Sequence, residues 1–195
     1  MSASYDREAD ARTQGGLSLK AGETSFMRGM SSRETADFEE ARTWYERSLA
    51  LGNVQAGVNL AYLYCYGRLG SHDYARAFEL WDEAARKNHP EACYKLGDLY
   101  AEGHGCPLDA AQAFELYLKA YRLATADGDA GWTGCAAFRL ARCYDEGRGC
   151  SADPRKALER FAEAERCLAE AVTEGYTFYE KDRATAQTAI ERLRG

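Results

Sequence analysis

Residues 90–119 read PEACYKLGDLYAEGHGCPLDAAQAFELYLK, and this stretch decides the fold because the chain carries its frame three times. The frame is Ala92, Leu96-Gly97, Leu99-Tyr100, Gly103-His104-Gly105, Asp109, Ala113-Phe114, Leu116-Tyr117 and Ala120. Thirty-six residues earlier it returns as Ala56, Leu60-Ala61, Leu63-Tyr64, Gly67, Asp73, Ala77-Phe78, Leu80-Trp81 and Ala84. Forty-four residues later it returns as Ala136, Leu140-Ala141, Tyr144, Gly147-Arg148-Gly149, Asp153, Ala157-Leu158, Phe161 and Ala164. Self-similarity at a period of this size marks a repeat array. Within one unit, Ala92, Leu96, Leu99 and Tyr100 share a helical face. Gly103 and Gly105 stop that helix. Asp109 then caps a second helix, whose stripe is Ala113, Leu116, Tyr117 and Ala120. One such hairpin cannot bury its own apolar face, so neighbouring units must stack. Alanines at the frame positions let helix axes approach, while Tyr64, Trp81, Tyr100, Tyr117, Tyr144 and Phe161 fill the gaps between them. The expected fold is an all-α solenoid of about four stacked helical hairpins.

Working outward, the whole chain reads as one domain. Residues 1–14 are expected to be a polar tail or a fraying helix start, and 15–52 an atypical first repeat. Leu17, Ala21, Phe26 and Met27 suggest a short helix ending near Gly29, followed by Ser31 and Ser32 as possible caps for a helix reaching about Leu51. Repeats are expected over 54–89, 90–125 and 135–172. Between the last two lies an excess of eight residues in the period, and Asp127-Gly128-Asp129-Ala130-Gly131-Trp132-Thr133-Gly134 suggests an insertion loop over 126–134. Trp132 is expected to pack back on the helix ends rather than stand free. The charged segment 176–194, with Tyr176, Tyr179, Ala186, Ile190 and Leu193, reads as an amphipathic capping helix.

The frame resembles the Sel-1-like repeat, a relative of the tetratricopeptide repeat. The residues that carry the likeness are Leu96-Gly97 with Tyr100, Gly103 and Gly105, Asp109, Ala113, Tyr117 and Ala120, with their counterparts in the flanking units. It covers residues 36 to 168 well. The helix before Phe38 keeps few family positions, which reads as a capping half-repeat. The resemblance implies right-handed stacking of the hairpins and a protein-binding scaffold without catalysis or cofactors.

Composition narrows the field further. The formal net charge is −6 and no Lys/Arg stripe forms, which disfavours nucleic acid and anionic membranes as partners. No apolar run approaches the length of a membrane-spanning helix. Met1 to Asp10 is polar and mixed in charge, unlike a signal peptide, so the cytoplasm is the expected location. Seven cysteines are an odd number without a secretory signal. Secreted relatives of this family staple consecutive repeats with a disulfide. Cys93 occupies one of those positions, but the other, near Ala85, is not cysteine. Reduced thiols that act as small hydrophobes are therefore expected, with Cys106 and Cys150 at equivalent places after the glycine turn.

A search for catalytic groups yields little. His72, His89 and His104 stand at turns of separate repeats, none beside a nucleophile at a motif spacing. His104-Gly105-Cys106 lacks a second ligand pair for zinc. The Gly-x-Gly turns follow helices and carry no Walker lysine, so they are turn chemistry rather than phosphate loops. What remains is the groove lined by the first helix of each hairpin. With the frame positions turned to the core, Asn59, Tyr62 and Tyr66, then Lys95, Asp98 and Glu102, then Arg139, Arg142 and Glu146 form a stripe at i, i+3, i+7. The tyrosines suit an interface anchor and the arginines a carboxylate clamp. An ordinary solvated helix face explains the same pattern equally well. The leading expectation is a scaffold binding a protein or peptide in this groove. A regulatory adaptor docking through one end, and a small enzyme with an unrecognised site, are the alternatives.

Overall fold

In the computed structural model, residues 2–195 are described, with side chains described from Ala9 onward; Met1, the first residue of the expected tail, lies outside them. The chain is helical throughout: α1 Ser2–Ser32, α2 Thr35–Ala50, α3 Val54–Cys65, α4 Tyr74–Arg86, α5 Pro90–Glu102, α6 Ala110–Asp127, α7 Ala130–Glu146, α8 Pro154–Thr173 and α9 Glu180–Arg194, with a 3-10 turn at Thr177–Tyr179. The frame fixes the helix starts. Asn53, Asp73, Asp109, Asp129 and Asp153 each accept, on the side chain, the amide N–H three residues on, which satisfies an otherwise orphaned donor. Pro90 and Pro154 open α5 and α8, where a missing N–H costs nothing. Gly103 and Gly147 end α5 and α7 in the left-handed region.

The chain divides into two compact units, Met1–Lys87 and Asn88–Gly195, where the sequence suggests one continuous domain. In a repeat array each hairpin contacts mainly its neighbours, so compactness is local. In the second unit, Leu96, Leu99 and Leu140 are buried, as the frame requires, and Leu168 joins them. Helix α9 does cap: Ala186 is buried, and Ile190 and Leu193 pack on a cluster of Ala137, Phe138, Ala141, Ala157, Phe161 and Ala164. In the first unit, Leu60, Leu63, Trp81 and Tyr45 form the interior.

Two segments differ from expectation. The tail over 1–14 and the short helix after it are instead one helix, α1, which runs through Gly15 and Gly16 to Ser32. Its buried face is not the apolar one. Gly15, Ser18, Gly22, Ser25 and Gly29 are buried at alternating spacings of three and four, a seam with heptad periodicity made of small residues. A Cβ added at Gly22 meets the Tyr45 ring at 2.5 Å, and one at Gly29 meets the Phe38 ring at 2.8 Å. Ser48 donates from within α2 to the carbonyl of Gly15 at 2.7 Å. The backbone of α1 therefore lies directly on α2, and Leu17, Met27 and Met30 point outward at 60%, 62% and 45% exposure. Neither Ser31 nor Ser32 is the cap of α2. That position is Glu34, while the Ser32 hydroxyl accepts from the Glu34 amide and donates to Asp37.

The insertion loop over 126–134 is likewise helix. Only Gly128, left-handed at φ 72°, and the cap Asp129 interrupt the run from α6 to α7. Gly131 and Gly134 are not turn signals. They admit Tyr179 and Leu168, whose atoms stand 2.8 and 2.7 Å from where a Cβ would be. The excess in the period is taken up by length: α6 and α7 have 18 and 17 residues, against 13 each for α4 and α5. Trp132 packs as expected, its ring 5.9 Å from that of Tyr94 and 6.5 Å from that of Tyr179.

Candidate functional site

Seven of the nine residues of the expected stripe line two places, one in each unit, and Tyr66 and Lys95 stand beside them. In the first unit, Asn59 and Tyr62 of α3 join Glu23, Phe26 and Met27 of α1 and Tyr45 of α2 around an almost wholly apolar hollow of about 450 Å³. Tyr66, 49% exposed, stacks on Tyr62 with centroids 5.7 Å apart and rings nearly parallel. Tyr62 is less open than its phase on the helix suggests. It is half-buried because its other side meets Trp81 edge-on at 5.4 Å. The phenol of Tyr45 is pushed up, by burial first and by the Glu23 carboxylate second, so it is a neutral wall of the hollow. Phe26 and Met27 belong to this site, although their spacing reads as core. The signal that identifies them as outward-facing is the glycine–serine seam on the opposite side of α1.

In the second unit, Asp98, Glu102, Arg139, Arg142 and Glu146 line one cleft of about 130 Å³, together with Tyr117 and Arg148. The stripe is therefore assembled there, but its charges are engaged. Arg139 donates from Nε to Asp98 Oδ1 at 2.9 Å, and Tyr117 donates its hydroxyl to the same oxygen at 2.9 Å. The guanidinium also covers Tyr94 at 5.2 Å and Phe138 at 5.5 Å. With its side chain only 21% exposed, Arg139 is not the open clamp that the sequence suggests. Burial, the largest single influence, opposes its charge, yet Asp98 together with Tyr94 and Tyr117 raises its pKa above the ordinary value. Burial, reinforced by Asp98, pushes the phenols of Tyr94 and Tyr117 up. Arg142 pairs with Glu146 one turn on at 3.4 Å, and Arg148 takes the other Glu146 oxygen. Lys95 lies outside the cleft wall, with its amine 4.8 Å over Tyr94. The cleft is thus a built ion-pair network between hairpins, and the apolar hollow of the first unit is the more open surface.

The remaining polar groups sit apart from one another. His72 bonds the Cys65 carbonyl at 2.7 Å and stacks on Tyr74, while His104 pairs with Glu102. Cys93, Cys135, Cys143 and Cys167 are buried. Burial pushes the Cys143 thiol up to about 11 and that of Cys135 to about 12. Among the described residues, no group of three or more His, Cys, Asp or Glu side chains is placed to hold a metal ion. Nor is any helix long and apolar enough to cross a membrane.

Against this geometry stand the comparisons with known proteins. The model of a family described as Sel1 repeat matches residues 26–53, 55–89, 90–124 and 136–159, more than half of the chain. Among curated proteins, the chain is 30% identical over 100 residues to the ERAD-associated E3 ubiquitin-protein ligase component HRD3A of Arabidopsis thaliana, which is 50% of this chain and 15% of that protein. For the HRD3B component of the same plant the identity is 30% over 111 residues, 55% of this chain and 18% of the relative. The chain thus spans less than a fifth of the length of either. Among solved structures, the Sel1 repeat protein from Oxalobacter formigenes matches with a TM-score of 0.57 at 22% identity, over 90% of this chain and 85% of that one. The protective antigen c5321 of uropathogenic Escherichia coli, which displays an SLR fold, matches with a TM-score of 0.67 at 23% identity, over 96% of this chain and 40% of its own. At such identities the likeness establishes the fold, an all-α solenoid of stacked hairpins.

Proposed function

Because the chain belongs to the Sel1 repeat family, whose repeats generally mediate protein–protein interaction, we propose that it is a non-catalytic scaffold holding a protein or peptide partner. The seat is the apolar hollow of the first unit. One observation carries this reading: four large apolar side chains, Phe26, Met27, Tyr45 and Tyr62, surround an open space on the side of the first helix of each hairpin. Aromatic walls supply contact area with little rotamer entropy to lose, and a thioether adapts its shape to what it meets. Glu23 and Asn59 at the margin give direction to a bound backbone or polar side chain. The fit is to an apolar anchor from the partner, such as one face of a helix. The working compartment is the cytoplasm, a reducing environment that suits seven free cysteines. The plant relatives are ERAD-associated E3 ubiquitin-protein ligase components, in keeping with an adaptor part for this chain too.

The test uses Met27→Ser combined with Tyr66→Ser, both at exposed positions, so the variant keeps its helical circular dichroism and its melting point. Tagged wild type and variant are incubated with native lysate and bound proteins are quantified by mass spectrometry. The reading expects one or more proteins captured by wild type to fall by about tenfold or more with the variant. A folded variant that captures the same set at full strength moves the seat to another surface.

A further inference from the structure

The second unit carries a hollow that the interaction stripe does not use. Two tight turns build it. Gly128, left-handed at φ 72°, passes the chain from α6 to α7, and Gly175, at φ 106°, turns it out of α8 toward α9. Between these turns four aromatic side chains, Trp132, Tyr176, Phe178 and Tyr179, line a space of about 320 Å³. Its remaining walls include the carboxylates of Asp129, Glu170 and Glu174, and no lining side chain is basic. The rings are not stacked flat on one another. Tyr176 and Phe178 stand 6.0 Å apart at 78°, Trp132 and Tyr179 6.5 Å apart at 86°, and Tyr176 and Tyr179 6.4 Å apart at 56°, while Phe178 lies against Tyr179 at 4.1 Å and 48°, leaving its other face to the hollow. Phe178 is 68% exposed and Tyr176 52% exposed, so burial in a core does not account for either ring.

Steeply inclined aromatic faces beside carboxylates, in a lining without a basic side chain, attract one class of ligand, a cation. The negative face of each ring draws a cation within about 6 Å of its centroid. The carboxylates add a Coulomb attraction that is strengthened where the rings exclude water. A metal ion is poorly served, since the rings bring no lone pairs and hard cations need six or more oxygens. A primary ammonium keeps its own water on three N–H donors and is costly to strip. A quaternary ammonium has no N–H to satisfy and presents an apolar methyl surface. We propose that this hollow binds a quaternary alkylammonium group, and that Trp132, Tyr176 and Phe178 face its methyl groups while Glu170 and Glu174 balance its charge. The group has two sources, a trimethylated lysine side chain on a protein or a free choline-type molecule. The site lies within the second unit and does not depend on the seat proposed in the first.

The full chain is titrated with tetramethylammonium chloride, a trimethyl-lysine peptide, the same peptide unmethylated, choline chloride and the neutral isostere 3,3-dimethylbutanol. The readout is the indole N–H signal of Trp132 in an 15N-labelled sample, assigned by Trp132→Phe. Saturable shifts are expected with tetramethylammonium and at least one of the two natural forms, with the isostere and the unmethylated peptide weaker by about tenfold or more. Phe178→Leu should weaken binding by a similar factor. Glu174→Gln should weaken it severalfold and flatten its salt dependence. Both positions are exposed, and a helical spectrum with an unchanged melt certifies each variant. A tighter trimethyl-lysine peptide assigns the source to a modified protein, and tighter choline assigns it to a small molecule. No saturable shift, an isostere or unmethylated peptide that binds equally well, or an undiminished response in folded Phe178→Leu overturns the proposal.

Discussion

The small-residue seam of α1 makes a quantitative prediction with its control one turn and a half away. Gly16 and Gly22 both lie inside the same helix, and neither needs a positive φ. Replacing either with alanine gains helix propensity of about 1 kcal/mol. At Gly16 a Cβ meets nothing within 4 Å, so Gly16→Ala should raise stability by about that amount. At Gly22 it meets Cδ1 and Cε1 of Tyr45 at 2.5 Å. Tyr45 is only 2% exposed, and its ring cannot swing aside without disturbing the interior. Overpacking of this kind costs about 1–3 kcal/mol, and at so close an approach the upper part of that range applies. The net for Gly22→Ala is then a loss of about 1–2 kcal/mol, and the two variants should differ by about 2–3 kcal/mol. Urea unfolding followed by far-ultraviolet circular dichroism measures this, with midpoints compared at equal slope. If Gly22→Ala is as stable as Gly16→Ala, α1 does not rest on α2 through its backbone and the seam is wrong.

Two further outcomes follow from the second unit. Leu96, 3% exposed on α5, should cost about 2–5 kcal/mol when cut to alanine, and a urea-melt loss below about half a kcal/mol would place it on the surface. Burial lowers the pKa of His89 below its ordinary value near 6.5, although Glu91 and Asp127 pull the other way. A depressed pKa means the folded state binds fewer protons, so this part of the stability is fully present above about 6.5 and is lost as pH falls from there toward the folded-state value. His89→Asn should remove this part of the slope, which one proton bounds at about 1.4 kcal/mol per pH unit. Identical pH profiles for wild type and variant between about pH 7 and 5 would show that the imidazole is not shielded.

The repeat frame was legible because it is written in residue types that have one role each. Asp109 and Asp153 cap, Gly103 and Gly147 terminate, and Leu96 and Leu140 fill the interior, all at fixed offsets. What sequence reading missed are places where one residue type has two roles. Glycine in α1 and in the first turns of α7 serves close packing, yet it signals a break as readily as a contact. Leu17, Phe26 and Met27 have the spacing of a core face, and only the glycines opposite them reveal that the face points out. Phase alone puts the expected stripe on α3, α5 and α7. Phase cannot show that Asp98 has already claimed Arg139, or that Trp81 half-covers Tyr62. The first contact joins two hairpins and the second joins the two helices of one, at separations that periodicity does not encode.

The lengthening of α6 and α7 has a consequence for how an array of near-identical parts acquires an address. Repetition alone yields the same surface at every step, so a ligand for one step is a ligand for all. Four or five added residues make each of these helices about 6–7 Å longer than its counterpart. That extra length lifts Gly128, Asp129 and Trp132 to the level where the chain leaves α8, and there they meet Tyr176, Phe178 and Tyr179. The extra turns break the translational symmetry of the repeats once. They create a singular place without disturbing a single frame residue, so the packing code and the individuality of the molecule are carried by different residues.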